Sequence, residues 1–269
     1  MTLDELAARI SEHNDEPDEL LSWRQQAASG LDELAAQTAA QLAPRDGDRL
    51  DVAPAIRDRV QDQTAEGTTV QTLIDAFNDH PGLIEQLPGP KTLIQRYCQA
   101  FFTNGIHIHV TADEDTVLQP LHSRFADPWI DQIIVTADPG ASATVVEGCS
   151  APRSSGFRAG STVIHAQDSA KVRYCNLQHW KQTNLLDSNR ATGSGDVSID
   201  HVIAADRHIV ECDARSRVLT PGTAFQADGF IHDGTTPDHA DRLDHDPAAL
   251  TNLPDEYRKE LRHILDLGD

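Results

Sequence analysis

Lysine is nearly missing from this chain. Lys91, Lys171, Lys181 and Lys259 are all it has, and arginine supplies the rest of 22 basic residues set against 43 acidic ones. The formal net charge is −21, and no basic patch interrupts the acid. Such a surface repels phosphate backbones, so no nucleic-acid partner is expected. Acid in this excess with so little lysine resembles the composition of proteins from salt-loving archaea and bacteria. There, concentrated salt screens self-repulsion while carboxylates keep the surface hydrated. An ordinary acidic protein of the cytosol is the alternative.

Other absences narrow the class further. No run of about 18 apolar residues exists, so no membrane-spanning helix is expected. The N-terminus, MTLDELAARISEHNDEP, is acidic and lacks the apolar core of a secretory signal. The cysteines Cys98, Cys149, Cys175 and Cys212 are far apart, with no CxxC. A cytoplasmic location with reduced thiols is the expectation. Catalytic signatures are missing too: no GxxxxGK(S/T), no GxGxxG opening a helix after a strand, no GxSxG and no HExxH. The chain is therefore not expected to be an enzyme in its own right.

What it does contain is a series of short β-branched runs broken by Asp, Pro, Gly and Ser. The stretch Ile133–Trp180 reads as strand, turn, strand, twice over, with DPGA turning the first pass and QDSA the second. HVIAADRHIVECD reads as a third pass, turned by AADR. Turn residues Asp138, Asp168 and Asp206 are unequally spaced, which points to stacked coils of unequal length. The expected fold is mainly β, a parallel β-helix core with an N-terminal α-helical region and a short C-terminal helix. A β-sandwich is the alternative on pattern alone.

The expected division is a mostly helical region at 1–103, a β core at 104–235 and an acidic tail with a short helix at 236–269. In the first region, 3–13 and 18–43 read as helices separated by Pro17. Residues 45–67 read as a polar loop. Thr69–Phe77 reads as a short amphipathic helix, and Lys91–Thr103 as another with Leu93, Ile94, Tyr97 and Phe101 on one side. Residues 254–267 read as the final helix.

Two groups of residues have metal or sulfur chemistry within reach. His107 and His109 alternate with Ile106, Ile108 and Val110, so they share one strand face. A His-x-His pair binds metal when a third ligand completes it, and the sequence shows none nearby. The second group is the thiols of the β region. Aligned on their turns, Lys171–Cys175 and His208–Cys212 fall at equivalent places, with Glu147 as their counterpart in the earlier pass and Cys149 two positions on. Neighbouring strands lie about 4.8 Å apart, close enough for equivalent side chains to share a metal. Cys175, His179 and Cys212 are thus candidate cluster or metal ligands. The alternative is that each cysteine simply fills a narrow core.

Three blocks carry a resemblance to the SufB/SufD family of the SUF iron–sulfur cluster assembly system. SEHNDEPDELLSWRQQA at 11–27 is similar to the family's N-terminal helix. NGIHIHV with TVLQPL at 104–121 is a second, supporting block. VVEGCSAP at 145–152 followed by AKVRYCNLQHW at 170–180 resembles the family's EGC(S/T)AP and VRY…Q(N/H)W elements at their usual separation. The C-terminal part departs from the family pattern, with no segment resembling FYLxxRGxxxxxA. The departure implies a short, divergent member of the family, and the acidic composition resembles that of haloarchaeal proteins.

The resemblance implies a right-handed parallel β-helix and a scaffold role. It also implies work with a SufC-type ABC ATPase, which hydrolyses the ATP, and pairing as a homodimer or as a heterodimer with a SufB/SufD relative. The cofactor it implies is a transient iron–sulfur cluster. Cys149 matches the cysteine of the EGC element, which implies a sulfur-accepting thiolate there. Two other classes stay open: a non-catalytic interaction protein that keeps the fold, and a metalloenzyme using His107, His109 and a carboxylate.

Overall fold

Threonines cap three of the five described helices. In the computed structural model, which describes residues 2–31, 67–111, 113–118, 129–151, 156–219 and 229–232, Thr2 caps helix α1 (Leu3–His13). Its hydroxyl accepts from the Glu5 amide at 3.1 Å, and the Glu5 carboxylate accepts from the Thr2 amide at 2.6 Å. Pro17 then precedes α2 (Asp18–Ala28). The stretch expected as a helix from Thr69 divides. Thr68–Thr72 is strand β1, because β-branched residues fit a pleated sheet edge, and Thr72 then caps α3 (Leu73–Asp79). A short α4 (Leu83–Gln86) follows, and Thr92 caps α5 (Leu93–Phe101). The helix expected at 18–43 ends at Ala28, where Ser29 and Gly30 close it with turn hydrogen bonds. Residues 32–43, all but Gly67 of the loop at 45–67, and the tail with its helix at 254–267 lie outside the described residues.

From Asn104 onward the described chain is almost entirely strand: β2 (Asn104–Val110), β3 (Asp113–Leu118), β4 (Trp129–Ala137), β5 (Ser142–Ala151), β6 (Gly156–Ala166), β7 (Lys171–Gly193), β8 (Asp196–Asp213), β9 (Arg215–Leu219) and β10 (Gly229–His232). The chain is mainly β, as expected. Apart from β1, which joins β2 antiparallel, every pairing is parallel. Two ladders result. One runs β2–β4–β6 and continues onto the C-terminal part of β7 and of β8. Its equivalent residues are Ile106, Ile133, Thr162, Asn189 and Cys212. The other runs β3–β5 and continues onto the N-terminal parts of β7 and β8, then β9. There Val145, Tyr174 and Ile199 are equivalent. The long strands β7 and β8 belong to both ladders, and their register shifts between Trp180 and Asn184 where they pass from one to the other.

The turns between ladders stack as well. Gln167 donates its amide to Ala137 O at 3.0 Å, Lys171 to Ala141 O at 2.8 Å, Gly195 to Ala166 O at 3.0 Å and Asp196 to Ala170 O at 2.8 Å. Two of the three expected turns, at Asp138–Gly140 and Asp168–Ser169, lie here. The third does not. Asp206 is inside β8, and the chain turns instead at Ser194–Gly195. Ala-Ala-Asp-Arg carries no glycine, whereas Gly193 takes φ 88° with its Cα against Ala166.

Period-two alternation then sorts the side chains. Ile106, Ile108, Ile133, Val135, Val145, Ile164, Val172, Tyr174, Ile199 and Cys212 form one core drawn from both ladders. Ile130, Ile134 and Ala159 face the other way and join Leu20, Trp23, Phe77, Phe101 and Phe102 of the helical part in a second core. Buried Arg24 ties that part together. It pairs with Glu16 through Nε and Nη2 at 2.7 and 2.6 Å, donates to Ala100 O at 3.1 Å and lies 3.5 Å from the centre of the Phe102 ring.

The stacked turns make opposite demands on two residues. A Cβ on Gly193 would stand 2.0 Å from the Ala166 carbonyl oxygen, so Gly193→Ala is expected to destabilise by more than ~2 kcal/mol. Ser169 holds φ 63°, and Ser169→Gly is expected to add ~0.5–1 kcal/mol. Urea unfolding of the two variants checks both signs.

Candidate functional site

The space between the ladders is apolar near the stacked turns and polar farther along the same strands. Val110, Ala137, Ala141, Ala166 and Ala170 fill the turn end. A few residues away, Asp131, Glu147, Arg158, Asn176 and Asp187 are all buried to 3% exposure or less. Each sits on a strand position that sequence alternation alone assigns to the interior.

Arg158 is the centre of this group. Its Nε donates to Asp131 Oδ2 at 3.1 Å, and its Nη2 lies 2.9 Å from the same oxygen and 2.6 Å from Glu147 Oε1. Its Nη1 lies 3.9 Å from Asp187 Oδ1. Asn104 donates to Asp131 at 2.7 Å, Tyr174 Oη donates to Glu147, and Asn176 and Asn189 donate to Asp187. Gly160, between Asp131 and Asp187 in the ladder, leaves room for the guanidinium. A Cβ there would stand 2.9 Å from Asp187 Oδ1 and 3.0 Å from Arg158 Nη2.

Among the described residues, one guanidinium faces three buried carboxylates. Burial is the main force on Asp187, raising its pKa to about 7. Arg158 and the Asn189 and Asn176 hydrogen bonds oppose the rise, while Glu147 adds to it. Burial and the Glu147 carboxylate likewise push the Tyr174 phenol far up, so it stays a hydrogen-bond donor. His201 shares a ladder rung with Asn176, which in turn pairs with Glu147. It is fully buried, neither ring nitrogen is hydrogen-bonded among the described residues, and burial lowers its pKa to about 4.

The next rung outward holds the residues singled out in the sequence. Cys149 stands two positions beyond Glu147 on β5 and pairs in register with Gln178 of β7. Ser150 pairs with His179, and Ala151 with Trp180. The EGC and QHW segments, far apart in sequence, are thus side by side. Cys175 and Cys212 do not meet as expected. Cys175 pairs with Val146 and Asp200, whereas Cys212 pairs with Asn189 on the other ladder. Cys212 joins the inner core, while Cys175 alternates with Tyr174 and Asn176 and so faces away from it. The expected equivalence rested on a turn at Asp206, and moving that turn to Ser194–Gly195 changes the register. His179, paired with Ser150 and Ala204, lies on neither cysteine's rung.

His107 and His109 are engaged elsewhere. His107 Nε2 is 2.9 Å from Thr136 Oγ1 and His109 Nε2 is 3.0 Å from Asp138 Oδ1, with the two rings stacked at 6.0 Å. Among the described residues, no three His, Cys, Asp or Glu side chains are grouped to hold a metal ion. Also among the described residues, no helix is long and apolar enough to cross a membrane. The sequence reading missed Arg158, Asp131 and Asp187. The available signal was a charged residue at an interior position in each of WIDQIIV, GFRAGST and LLDSNRA.

The buried groups give stability two opposing pH dependences. Asp187 has its pKa raised above the unfolded value of 3.8, so its contribution is complete below that pH and is lost as pH rises through about 7. His107 and His201 are lowered to about 3 and 4. Their contribution is complete above 6.5 and is lost as pH falls toward those values. Asp187→Asn is therefore expected to remove a fall in melting temperature on the order of 5 °C between pH 5 and pH 8, leaving the acid limb in place. Thermal unfolding at constant high salt measures both limbs.

No curated protein matches the chain. Residues 123–246 match the family described as SUF system FeS cluster assembly, SufBD core domain. That span holds β4 to β10, the Arg158 cluster and the Cys149–Gln178 rung. Residues 123–246 thus carry a SufBD core domain, which supports membership of the SufB/SufD family and indicates involvement in SUF iron–sulfur cluster assembly.

Proposed function

We propose that the chain is a scaffold, or the partner subunit of a scaffold, on which an iron–sulfur cluster is assembled as transient cargo. It is not itself an enzyme. A SufC-type ABC ATPase hydrolyses ATP for it, and it pairs with a second copy or with a SufB/SufD relative in the cytoplasm. Its core is a right-handed parallel β-helix, a reading supported by two parallel ladders sharing the long strands β7 and β8.

The single observation that carries the proposal is the register of Cys149 against Gln178, one rung beyond the buried Glu147–Arg158 pair. Cys149 accepts sulfur in this reading. Its thiolate attacks the outer sulfur of a donor persulfide. A new S–S bond forms, the donor's S–S bond breaks, and the donor leaves as a thiolate. Cys149 becomes the persulfide, with no net oxidation. Cys175, His179 and Cys212 remain second-rank candidates for holding the growing cluster. Since Cys175 and Cys212 lie on opposite faces, at most one of them serves at any one centre.

The test is transfer from a low-molecular-weight persulfide under anaerobic conditions, with each cysteine peptide weighed. The expected result is one added sulfur on the Cys149 peptide, lost in Cys149→Ala while the far-ultraviolet circular dichroism is unchanged. Cluster assembly with the ATPase present is expected to fall at least ~10-fold in the same variant, of the order seen when a nucleophile is removed. Undiminished assembly by a chain lacking Cys149, Cys175 and Cys212 would instead favour an interaction protein that keeps the fold without the chemistry.

A further inference from the structure

The turn after α3 brings a third imidazole to the His-x-His pair of β2. Ile108 and Val110 belong to the inner core, so His107 and His109 stand on the outer face of the strand. His80 is held by its backbone. Its amide donates to Ala76 O at 2.9 Å, and its carbonyl accepts from the Leu83 amide at 3.1 Å. Its ring meets that of His109 edge-on, with centres 6.3 Å apart and planes at 77°. His80 is exposed, so its side chain is free to turn. Asp138 sets the state of His109. A carboxylate accepts and does not donate, so the 3.0 Å contact places the His109 proton on Nε2 and leaves the lone pair on Nδ1. A carboxylate behind an imidazole is also the arrangement that orients metal-bound histidines.

We propose that His80 and His109 form a binding site for one divalent transition-metal ion of the zinc type, with Asp138 orienting His109. Metal–imidazole bonds are about 2.0–2.1 Å long, so two ring centres sharing an ion lie at most about 6.4 Å apart. His80 and His109 are within that limit, and turning the exposed side chain brings them closer. His107 does not share the ion. Its ring is nearly parallel to that of His109, at 15°, so an ion in the plane of one ring lies off the plane of the other. The described side chains make no closed group of three, and two imidazoles leave the remaining positions to water. Imidazole nitrogen favours zinc and its neighbours over magnesium or calcium. A bound ion joins the end of α3 to β2, and so the helical part to the β region. The site lies at the turn end of the ladder and does not depend on the reading of Cys149.

The test is protection of histidines from diethyl pyrocarbonate by Zn²⁺ in the full chain at fixed ionic strength, read peptide by peptide by mass spectrometry. His80 and His109 are expected to be protected together, at one Zn²⁺ midpoint, and excess Mg²⁺ is expected to protect neither. His109→Gln keeps a hydrogen-bonding side chain before Asp138 and is expected to raise the His80 midpoint at least ~10-fold. Asp138→Asn is expected to raise it roughly 10-fold. The reciprocal change, His80→Gln, is read on the His109 peptide and is expected to act as strongly as His109→Gln. His165 stands on the same outer face but bonds Thr192 at 3.1 Å, and His165→Ala is expected to leave the His80 midpoint unchanged.

An unchanged His80 midpoint in His109→Gln overturns the proposal, because the ion then sits on one histidine alone. Failure of Zn²⁺ to protect His80 at any soluble concentration overturns it as well. So does a His165→Ala effect as large as that of His109→Gln, which would mean that ions collect diffusely over the face. Circular dichroism of each variant separates a lost site from a lost fold. The exposed His80→Gln change carries the test if His109→Gln does not fold, and an unchanged His109 midpoint there overturns the proposal too.

Discussion

Arg158 is the constraint on which the interior of the β region depends. A guanidinium with 1% of its side chain exposed has to meet carboxylates, and it meets Asp131 and Glu147 at hydrogen-bond distance with Asp187 a little farther off. Desolvating this many charges is expensive, and Coulomb attraction repays it only when the remaining lone pairs are also satisfied. Asn104, Asn176, Asn189 and Tyr174 supply those donors. Burial favours a proton on Asp187 up to about pH 7. Gly160 keeps the place open in which the guanidinium lies.

Parallel pairing explains how residues so distant in sequence meet. Each ladder step brings in a new pass of the chain, so one rung collects Asn104, Asp131, Gly160 and Asp187, and another collects Glu147, Asn176 and His201. The stacked turns fix the register of both ladders from one end. At that end the core is aliphatic, and the strands then lead into the polar region and on to Cys149 and Gln178. Precision at the site is thus inherited from the backbone of the turns. Gly193 is the point where that backbone has no slack.

The β character and two of the three turns were legible because Asp-Pro-Gly and Gln-Asp-Ser interrupt β-branched runs in a local way. The turn at Ser194–Gly195 went unread because its flanks, LLDSNRA and DVSID, carry polar residues where a strand core is usually apolar. Those residues are the ones that line the charged interior, so burying charge there hid the strand signal. Thr69–Thr72 reads as helix by its neighbours and becomes strand because β2 offers it an edge. For the site, the EGC and QHW segments were visible as motifs, and their juxtaposition followed once the register was known. Arg158 was not visible. Whether an arginine near a Ser/Gly-rich stretch points to water or to three acids depends on strands contributed by residues up to 54 positions earlier and 29 later in the ladder, roughly the reach of two coils of chain. The matching of Cys175 with Cys212 failed for the same reason, since one misplaced turn exchanges the inner and outer faces of everything after it.

The central claim is that Arg158 and its carboxylates act as one electrostatic unit inside the β region. A double-mutant cycle tests it most directly: urea unfolding of Arg158→Met, Glu147→Gln and the two together at pH 8. The account predicts a coupling free energy of ~2–3 kcal/mol, because Arg158→Met alone strands buried charge that Glu147→Gln partly relieves. Additivity within ~0.5 kcal/mol would mean that the two side chains do not depend on one another, and would contradict it.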